Sequence, residues 1–196
     1  MRGVWLVLAA LLALLLAGCG EEPWYGKDIT GLMPELEFEL TAESGETVTE
    51  VLFAGRPVAM YFGFTHCPDI CPTTLARLSA AVRRLPDDLR QDLQLAFVSV
   101  DPRRDGPQAL ARYTDAFSDR MVGLTGTQKQ LRELTRRYRI TYGYEEPDEN
   151  GDYEVSHSSA VFVFDAQGDP RLMLLDDLGV VEMAHDLELL LQRASA

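Results

Sequence analysis

Side chains that bind soft metals or carry out redox chemistry are scarce in this sequence. Its 196 residues include only three cysteines and three histidines. These are Cys19, Cys67, Cys71, His66, His157 and His185. Internal repeats and low-complexity tracts are also lacking. A site that uses thiol or imidazole groups must therefore be built from very few residues.

The sequence has no apolar run of the length that a membrane span needs. The run at residues 4–17 has 14 residues, whereas a transmembrane helix needs about 20. Because it follows Arg2 and is short, it predicts a secretory signal peptide over residues 1–18. Residues 16–19 read LAGC, a pattern typical of the cleavage site of bacterial lipoproteins. This pattern predicts lipidation of Cys19. The alternatives are an ordinary signal that contains a cysteine and an uncleaved anchor.

Positive charge is also in short supply. Lysine and arginine number 18 against 31 aspartate and glutamate residues, which gives a formal net charge of −13. Removal of residues 1–18, whose one charged residue is Arg2, changes this value to −14. Nucleic acids and anionic lipid surfaces repel such a chain, so we predict no nucleic acid partner. The charge is compatible with a cationic protein partner or simply with solubility.

Apolar periodicity predicts an α/β fold for the remainder of the chain. We expect a lipidated leader or linker at residues 19–28 and one domain at residues 29–196. The predicted strands lie at residues 58–64, 93–100, 121–124, 160–164 and 172–175, and the predicted helices lie at 72–85, at 107–117, after Thr127 and at the C-terminus. Turn signals lie at Asn150-Gly151 and at residues 165–168. This order predicts a central mixed sheet flanked by helices, with an N-terminal extension and a hairpin before the C-terminal strands.

Two cysteines occupy the segment YFGFTHCPDICPTTL at residues 61–75, where a buried strand ends and a helix begins. Pro72 disfavours helical geometry at the residue before it, so we place Cys67 and Cys71 on the loop that enters the helix. There the free amides and the positive end of the helix dipole favour thiolates. In an oxidising compartment such a pair is a structural disulfide, a redox couple or a metal site.

A metal held by two thiolates needs a third ligand, and the histidines are the candidates. The side chain of His66 should point away from the neighbouring sulfur if the strand continues. His185 lies in the C-terminal helix, where a surface position is the simplest interpretation. His157 lies where a hairpin returns to a core strand. The predicted order of elements resembles a thioredoxin-like fold, in which this return passes beside the start of the first helix. The residues alone leave open whether His157 is a ligand or a loop residue that satisfies backbone carbonyls.

Two aspartates close to these segments have open roles. Asp101 either supports the metal loop or caps the turn into Pro102. Asp69 either contributes to partner recognition or stabilises the loop between the cysteines.

The segments FGFTHCPDICPTTL and SVDPRRDGP and the segment around His157 together resemble the Sco (SenC) family of copper proteins, which take part in cytochrome c oxidase assembly. The resemblance runs in order from about residue 30 to the C-terminal helix. It implies a thioredoxin-like fold, and it implies that Cys67, Cys71 and His157 bind one copper ion. This ligand set suits Cu(I), which favours thiolates, and Cu(II), which accepts imidazole.

The resemblance implies a copper metallochaperone. It would receive copper from an upstream donor and deliver it to the binuclear copper centre in subunit II of cytochrome c oxidase, or to another copper enzyme. We expect a protein held at the membrane by its lipid anchor and facing the periplasm or another extracytoplasmic side.

The alternative is a dedicated thiol–disulfide oxidoreductase, in which Cys67 and Cys71 reduce the copper-ligand cysteines of the target. General thioredoxin activity is disfavoured because no proline stands just before the strand at residues 160–164. A peroxiredoxin is disfavoured because Met60 and Thr65 do not match its motif. A purely structural disulfide would not explain why the two cysteines lie at the start of a helix.

Overall fold

An eight-stranded mixed sheet forms the centre of the computed structural model, which describes residues 22–149 and 153–194. The strands are β1 (Lys27–Asp28), β2 (Glu39–Ala42), β3 (Thr47–Thr49), β4 (Val58–Gly63), β5 (Gln94–Ser99), β6 (Met121–Thr125), β7 (Tyr142–Tyr144), β8 (Val155–His157), β9 (Val161–Phe164) and β10 (Pro170–Leu174). The helices are α1 (Ile70–Arg84), α2 (Asp87–Asp92), α3 (Pro107–Asp115), α4 (Gln128–Arg137) and α5 (Val180–Ala194), and Glu50–Phe53 form a 3-10 helix. The order in the sheet is β1-β10-β9-β4-β5-β6-β2-β3, and β7 and β8 form a separate ribbon.

The parallel strands β4 and β5 lie in the middle of the sheet and are connected through α1 and α2. Every residue of β4 is buried, which is typical of a strand covered on both faces. β9 runs antiparallel to β4, with Tyr61 opposite Val161. The segment that follows β4 and the segment that precedes β9 therefore meet at one edge of the sheet.

The predicted central mixed sheet with flanking helices is confirmed by this topology. The long apolar runs at residues 58–64 and 93–100 correspond to β4 and β5. Thr127 and Gln130 form a capping box at the start of α4. The turn at residues 165–168 joins β9 to β10, and Gly168 in it has a φ of 86°. The predicted turn at Asn150 and Gly151 lies outside the described residues, and the strands on either side of it pair as β7 and β8.

Five short elements were not predicted, namely β1, β2, β3, α2 and the 3-10 helix, whereas β7 and β8 form the hairpin that was predicted before the C-terminal strands. The strands among them have two to four residues, which is too short for a clear alternation of apolar and polar positions. The helix α2 has no buried residue, so its sequence has no apolar stripe.

The first helix begins earlier than predicted. It starts at Ile70, so Cys71 lies in its first turn and not on the loop. Amides in the first turn of a helix have no partner within the helix, so Pro72 removes no helical hydrogen bond there. The N–H of Thr73 makes the first bond, to the carbonyl oxygen of Asp69 at 3.1 Å.

Residues 22–28 pack on the domain, so its contacts begin before the predicted boundary at residue 29. β1 pairs with β10 at the edge of the sheet. The amides of Tyr25 and Gly26 donate to the buried carboxylate of Asp186 in α5, at 3.0 and 2.7 Å. The guanidinium carbon of Arg193 lies 4.3 Å from the ring centroid of Trp24. The described part of the predicted leader is therefore clamped along α5.

The predicted signal peptide and Cys19 lie outside the described residues. Within residues 22–149 and 153–194, no helix combines the length and the apolar character that crossing a bilayer requires.

Candidate metal centre

Cys67, Cys71 and His157 come together at the edge of the sheet where β4 ends and β9 begins. Cys67 lies on the loop after β4, Cys71 lies in the first turn of α1, and His157 ends β8. One donor atom from each residue lies within 4.8 Å of the other two. Two sulfurs that each lie about 2.3 Å from one ion are at most about 4.6 Å apart. The three donor atoms are therefore close enough to converge on one ion after small side-chain movements.

The imidazole of His157 is oriented by its backbone neighbour. Its Nδ1 lies 3.0 Å from the carbonyl oxygen of Ser158. Since a carbonyl only accepts, Nδ1 carries the proton and Nε2 is free to accept. Nε2 lies 3.1 Å from Cys71 Sγ. Burial lowers the pKa of His157, against the opposing effect of the Ser158 carbonyl, so at neutral pH the ring is in the neutral form that binds metals.

The two cysteines have different surroundings. Both are free thiols, and Cys67 is partly exposed while Cys71 is fully buried. Cys67 Sγ accepts the N–H of Cys71 at 3.3 Å. Burial is the main cause that raises the pKa of Cys71 to about 12. The prediction that the helix start favours thiolates is therefore wrong for Cys71 in the metal-free protein, because desolvation outweighs the helix dipole. A metal that binds there has to displace the thiol proton.

Space for the sulfur of Cys71 is provided by Gly63 at the end of β4. A Cβ atom at this position would lie 2.7 Å from Cys71 Sγ and 3.1 Å from the ring of Phe97. Neither neighbour is at a flexible chain end, so residue 63 has to be glycine for the sulfur to occupy its place.

A groove of about 310 Å³ opens beside the candidate ligands. Its lining includes Cys67 and His157 but not Cys71. The rest of the lining consists of apolar side chains, two acidic ones and one serine: Phe64, Pro68, Ile70, Val155, Asp69, Glu154 and Ser156. The centre is thus open to an incoming group on the Cys67 side and closed by the core on the Cys71 side.

The other two histidines lie elsewhere. His66 is half exposed, and its Nδ1 lies 3.4 Å from a carboxylate oxygen of Asp105. The His185 ring stands edge-on to Tyr25, with a ring-centroid distance of 5.0 Å. Within the described residues, the cysteine pair is joined by His157 alone among the histidines.

The two aspartates with open roles both make structural contacts. The carboxylate of Asp101 accepts the Tyr153 hydroxyl at 2.7 Å and Arg104 Nε at 2.5 Å. It thereby holds the segment before β8 and the turn after β5, and not the cysteine loop. Asp69 is exposed and accepts the hydroxyl of Thr73 at 3.4 Å, which is a contact within the loop and helix start.

Asp105 was not predicted, although it holds the cysteine loop. Its buried carboxylate accepts the Thr65 N–H at 2.8 Å, the Thr65 hydroxyl at 2.6 Å and the Ser99 hydroxyl at 2.5 Å. Thr65 precedes Cys67 by two residues, so these bonds fix the start of the loop to β5. The sequence signals only a helix start at this position, because Pro107 follows.

Known proteins share this chain's sequence pattern and fold. A family model described as SCO1/SenC matches residues 32–192. The protein named "SCO2 homolog, mitochondrial" from Mus musculus is 42% identical over 135 residues, which make up 67% of this chain and 52% of that protein. The chain thus spans about half the length of the curated relatives it matches.

Two solved structures are also similar. Arabidopsis thaliana ScoI with copper bound has a TM-score of 0.74 and 31% identity, and the match covers 81% of this chain and 98% of that one. Apo Sco1 from Thermus thermophilus has a TM-score of 0.75 and 32% identity, and the match covers 89% and 99% of the two chains. The predicted thioredoxin-like fold is confirmed by these similarities.

Proposed function

Since the chain belongs to the SCO1/SenC family, as its motifs predict, we propose that it binds one copper ion through Cys67, Cys71 and His157 and serves as a copper metallochaperone. Proteins of this family bind copper and act in cytochrome c oxidase assembly. The observation that carries the proposal is the convergence of two sulfurs and one imidazole nitrogen within 4.8 Å. Two thiolates hold Cu(I), and the neutral imidazole supplies the further ligand that Cu(II) accepts.

Delivery of copper takes place by ligand exchange at the open side of the centre. Cys67 and His157 line the groove, whereas Cys71 is buried behind them. An incoming thiol therefore replaces Cys67 first, and Cys71 keeps hold of the ion until the exchange has begun. The recipient is the binuclear copper centre in subunit II of cytochrome c oxidase or another copper enzyme, and an upstream protein supplies the ion.

Copper binding is tested by titration of the metal-free protein with Cu(I) and Cu(II). We expect one equivalent of copper and an intense charge-transfer absorption with Cu(II), which Cys67→Ser and Cys71→Ser abolish. His157→Ala weakens Cu(II) binding more than Cu(I) binding, because the two thiolates remain. His66→Ala is the matched control and retains both. Equal loss of both oxidation states in His157→Ala, or full retention of Cu(II), would overturn the assignment of His157.

The location proposed for the protein follows from its first residues. Cys19 carries a lipid that holds the domain at the membrane on the periplasmic or another extracytoplasmic side. Cys19→Ser should abolish lipid labelling and release the protein from the membrane fraction. Wild-type protein that never takes up label contradicts the anchor.

Reduction of the target's cysteines is a second candidate function. Two observations favour it. Both cysteines are free thiols, and Cys67 is partly exposed, with its sulfur accepting a hydrogen bond from the N–H of Cys71. An oxidised pair offers no thiolates, so oxidation should release the metal. The two functions are separated by assaying the turnover of a generic disulfide such as insulin and the copper retained after gel filtration. Fast turnover with no copper retained would favour the reductase.

A further inference from the structure

Tyr61 carries a buried hydroxyl that the fold leaves without a partner. The residue lies in β4 and is fully buried. Among the residues that the structure describes, none makes a hydrogen bond of ordinary geometry to its Oη. A buried polar group without a partner costs stability, and phenylalanine would fill the same space without this penalty. The hydroxyl therefore calls for an explanation.

The sulfur of Cys71 lies close to the ring of Tyr61. A Cβ atom built on Gly63 would lie 2.7 Å from Cys71 Sγ and 3.2 Å from Tyr61 Cε1. The sulfur and the hydroxyl-bearing edge of the ring therefore border the same small space. Burial raises the pKa of Tyr61 far above its ordinary value; the charge and the proximity of the Cys71 sulfur raise it further, whereas the neighbouring side chain of Thr74 lowers it. The same contact lowers the pKa of Cys71, which is the effect of an O–H that donates to a thiolate.

The state of Cys71 decides whether the hydroxyl is satisfied. Cys71 Sγ lies 3.1 Å from Nε2 of His157, which accepts a hydrogen bond from the thiol. A neutral thiol is only a weak acceptor. A metal ion that replaces the thiol proton turns the sulfur into a charged acceptor, and hydrogen bonds to charged groups are the stronger ones. The hydroxyl then gains the partner that it lacks.

We propose that Tyr61 is a positioning residue of the metal centre, whose phenol O–H donates a hydrogen bond to Cys71 Sγ when a metal is bound. This inference rests on the proposed function, since it requires metal ligation by Cys71. A hydrogen bond to a thiolate stabilises negative charge on the sulfur. It therefore favours Cu(I) over Cu(II), in line with the tuning of copper–thiolate potentials by hydrogen bonds to the sulfur.

Tyr113 in α3 provides a matched control. Its hydroxyl is also buried without a partner in the described structure. Its ring packs against Phe97 and Phe117, with ring-centroid distances of 5.1 Å to each. Burial raises the pKa of Tyr113, followed by the charges of Cys71 and Cys67, and no hydrogen bond is among the causes. Tyr113→Phe thus removes a similar hydroxyl from the same region without removing a bond to the sulfur.

The experiment compares purified wild-type protein, Tyr61→Phe and Tyr113→Phe, each loaded with copper or with Co(II) alone. We expect Tyr61→Phe to move the thiolate-to-metal charge-transfer bands to lower energy, because the sulfur orbitals lose a stabilising bond. We also expect the ratio of Cu(I) to Cu(II) affinity to fall about tenfold, which is about 59 mV for a one-electron couple. Tyr113→Phe should change neither quantity.

Unchanged bands and an unchanged affinity ratio in Tyr61→Phe would overturn the proposal. Equal shifts in the two variants would overturn it as well, since they would reflect only the polarity of the region. The Co(II) bands keep this test separate from the proposed function. A wild-type protein that binds Co(II) through its thiolates but not copper refutes the copper proposal and still tests the hydrogen bond from Tyr61.

Discussion

Removal of the Asp105 carboxylate is the sharpest test of how the fold holds the cysteine loop. Asp105 is fully buried and accepts three hydrogen bonds, two from Thr65 and one from Ser99. Asp105→Ala deletes all three acceptor contacts in one step. Because Thr65 lies two residues before Cys67, the change acts on the loop without touching Cys67, Cys71 or His157, although it also removes the 3.4 Å contact with His66 Nδ1.

The magnitude follows from the three donors that lose their acceptor. An unsatisfied buried donor costs about 1–3 kcal/mol. The backbone N–H of Thr65 cannot reorient, whereas the hydroxyls of Thr65 and Ser99 can rotate towards other acceptors. We therefore expect Asp105→Ala to lower the free energy of unfolding by about 2–4 kcal/mol, which leaves a domain of ordinary stability folded. Asp105→Asn keeps one acceptor oxygen and should cost about half as much.

The same change should loosen the metal centre. Loss of a group that orients a metal ligand lowers metal affinity about 10–100-fold, so we expect a fall in Cu(I) affinity within this range. Denaturant unfolding of the metal-free protein gives the stability, and competition with a Cu(I) chelator gives the affinity. Asp69→Ala is the control, because this carboxylate is exposed and makes one long bond, to Thr73. A loss of less than about 0.5 kcal/mol in Asp105→Ala, or unchanged copper affinity, would refute the role of the three bonds.

Three further changes test other parts of the structure. Gly63→Ala should abolish tight copper binding, because the added Cβ would lie 2.7 Å from Cys71 Sγ. Gly106→Ala is the control and should leave the copper titration unchanged, because a Cβ added there meets no atom within 4 Å. Asp186→Ala should lower the free energy of unfolding by about 1–3 kcal/mol, because two backbone amides lose their acceptor; altered copper stoichiometry in this variant would contradict a purely structural clamp. The metal-free protein should lose stability as the pH rises above 9, because the pKa of Cys71 is raised from 9.0 to about 12 and the unfolded chain releases this proton first. Cys71→Ser should flatten that dependence in denaturant titrations, and an unchanged slope would argue against the raised pKa.

The elements that could be predicted from the sequence are those whose burial is complete. β4 and β5 are covered on both faces, so their apolar runs are continuous and easily recognised. The strands β1, β2 and β3 lie at or near the sheet edges and pair over only two to three positions. Pairing at an edge depends on the strand already present there, which a local pattern does not encode. The same holds for the clamp of residues 22–28 on α5.

The residues of the candidate site that could be predicted are those whose sequence pattern lies in a short segment. Cys67 and Cys71 stand four positions apart beside a strand end, so the sequence alone narrows the pair to a structural disulfide, a redox couple or a metal site. His157 is 86 residues away from Cys71, so the residues alone left its role open and the family resemblance assigned it. The burial of Cys71 depends on packing that no local pattern shows, and therefore the predicted thiolate was wrong. The contacts of Asp105 and Tyr61 were not predicted, because they also depend on packing that no local pattern shows.

The contrast between the two cysteines bears on which function comes first. A reductase needs its second thiolate to attack the mixed disulfide. Burial raises the pKa of Cys71 to about 12, so its thiol is protonated at pH 7 and is a poor attacking group. A bound metal ion replaces the proton and removes this obstacle, and the low dielectric around the sulfur then strengthens its attraction to the cation. Burial of Cys71 thus disfavours it as a reducing thiol and favours the role of metal ligand that we propose for it. The contrast between the cysteines therefore supports the proposal that copper carriage is the primary function, with thiol reduction as the second candidate.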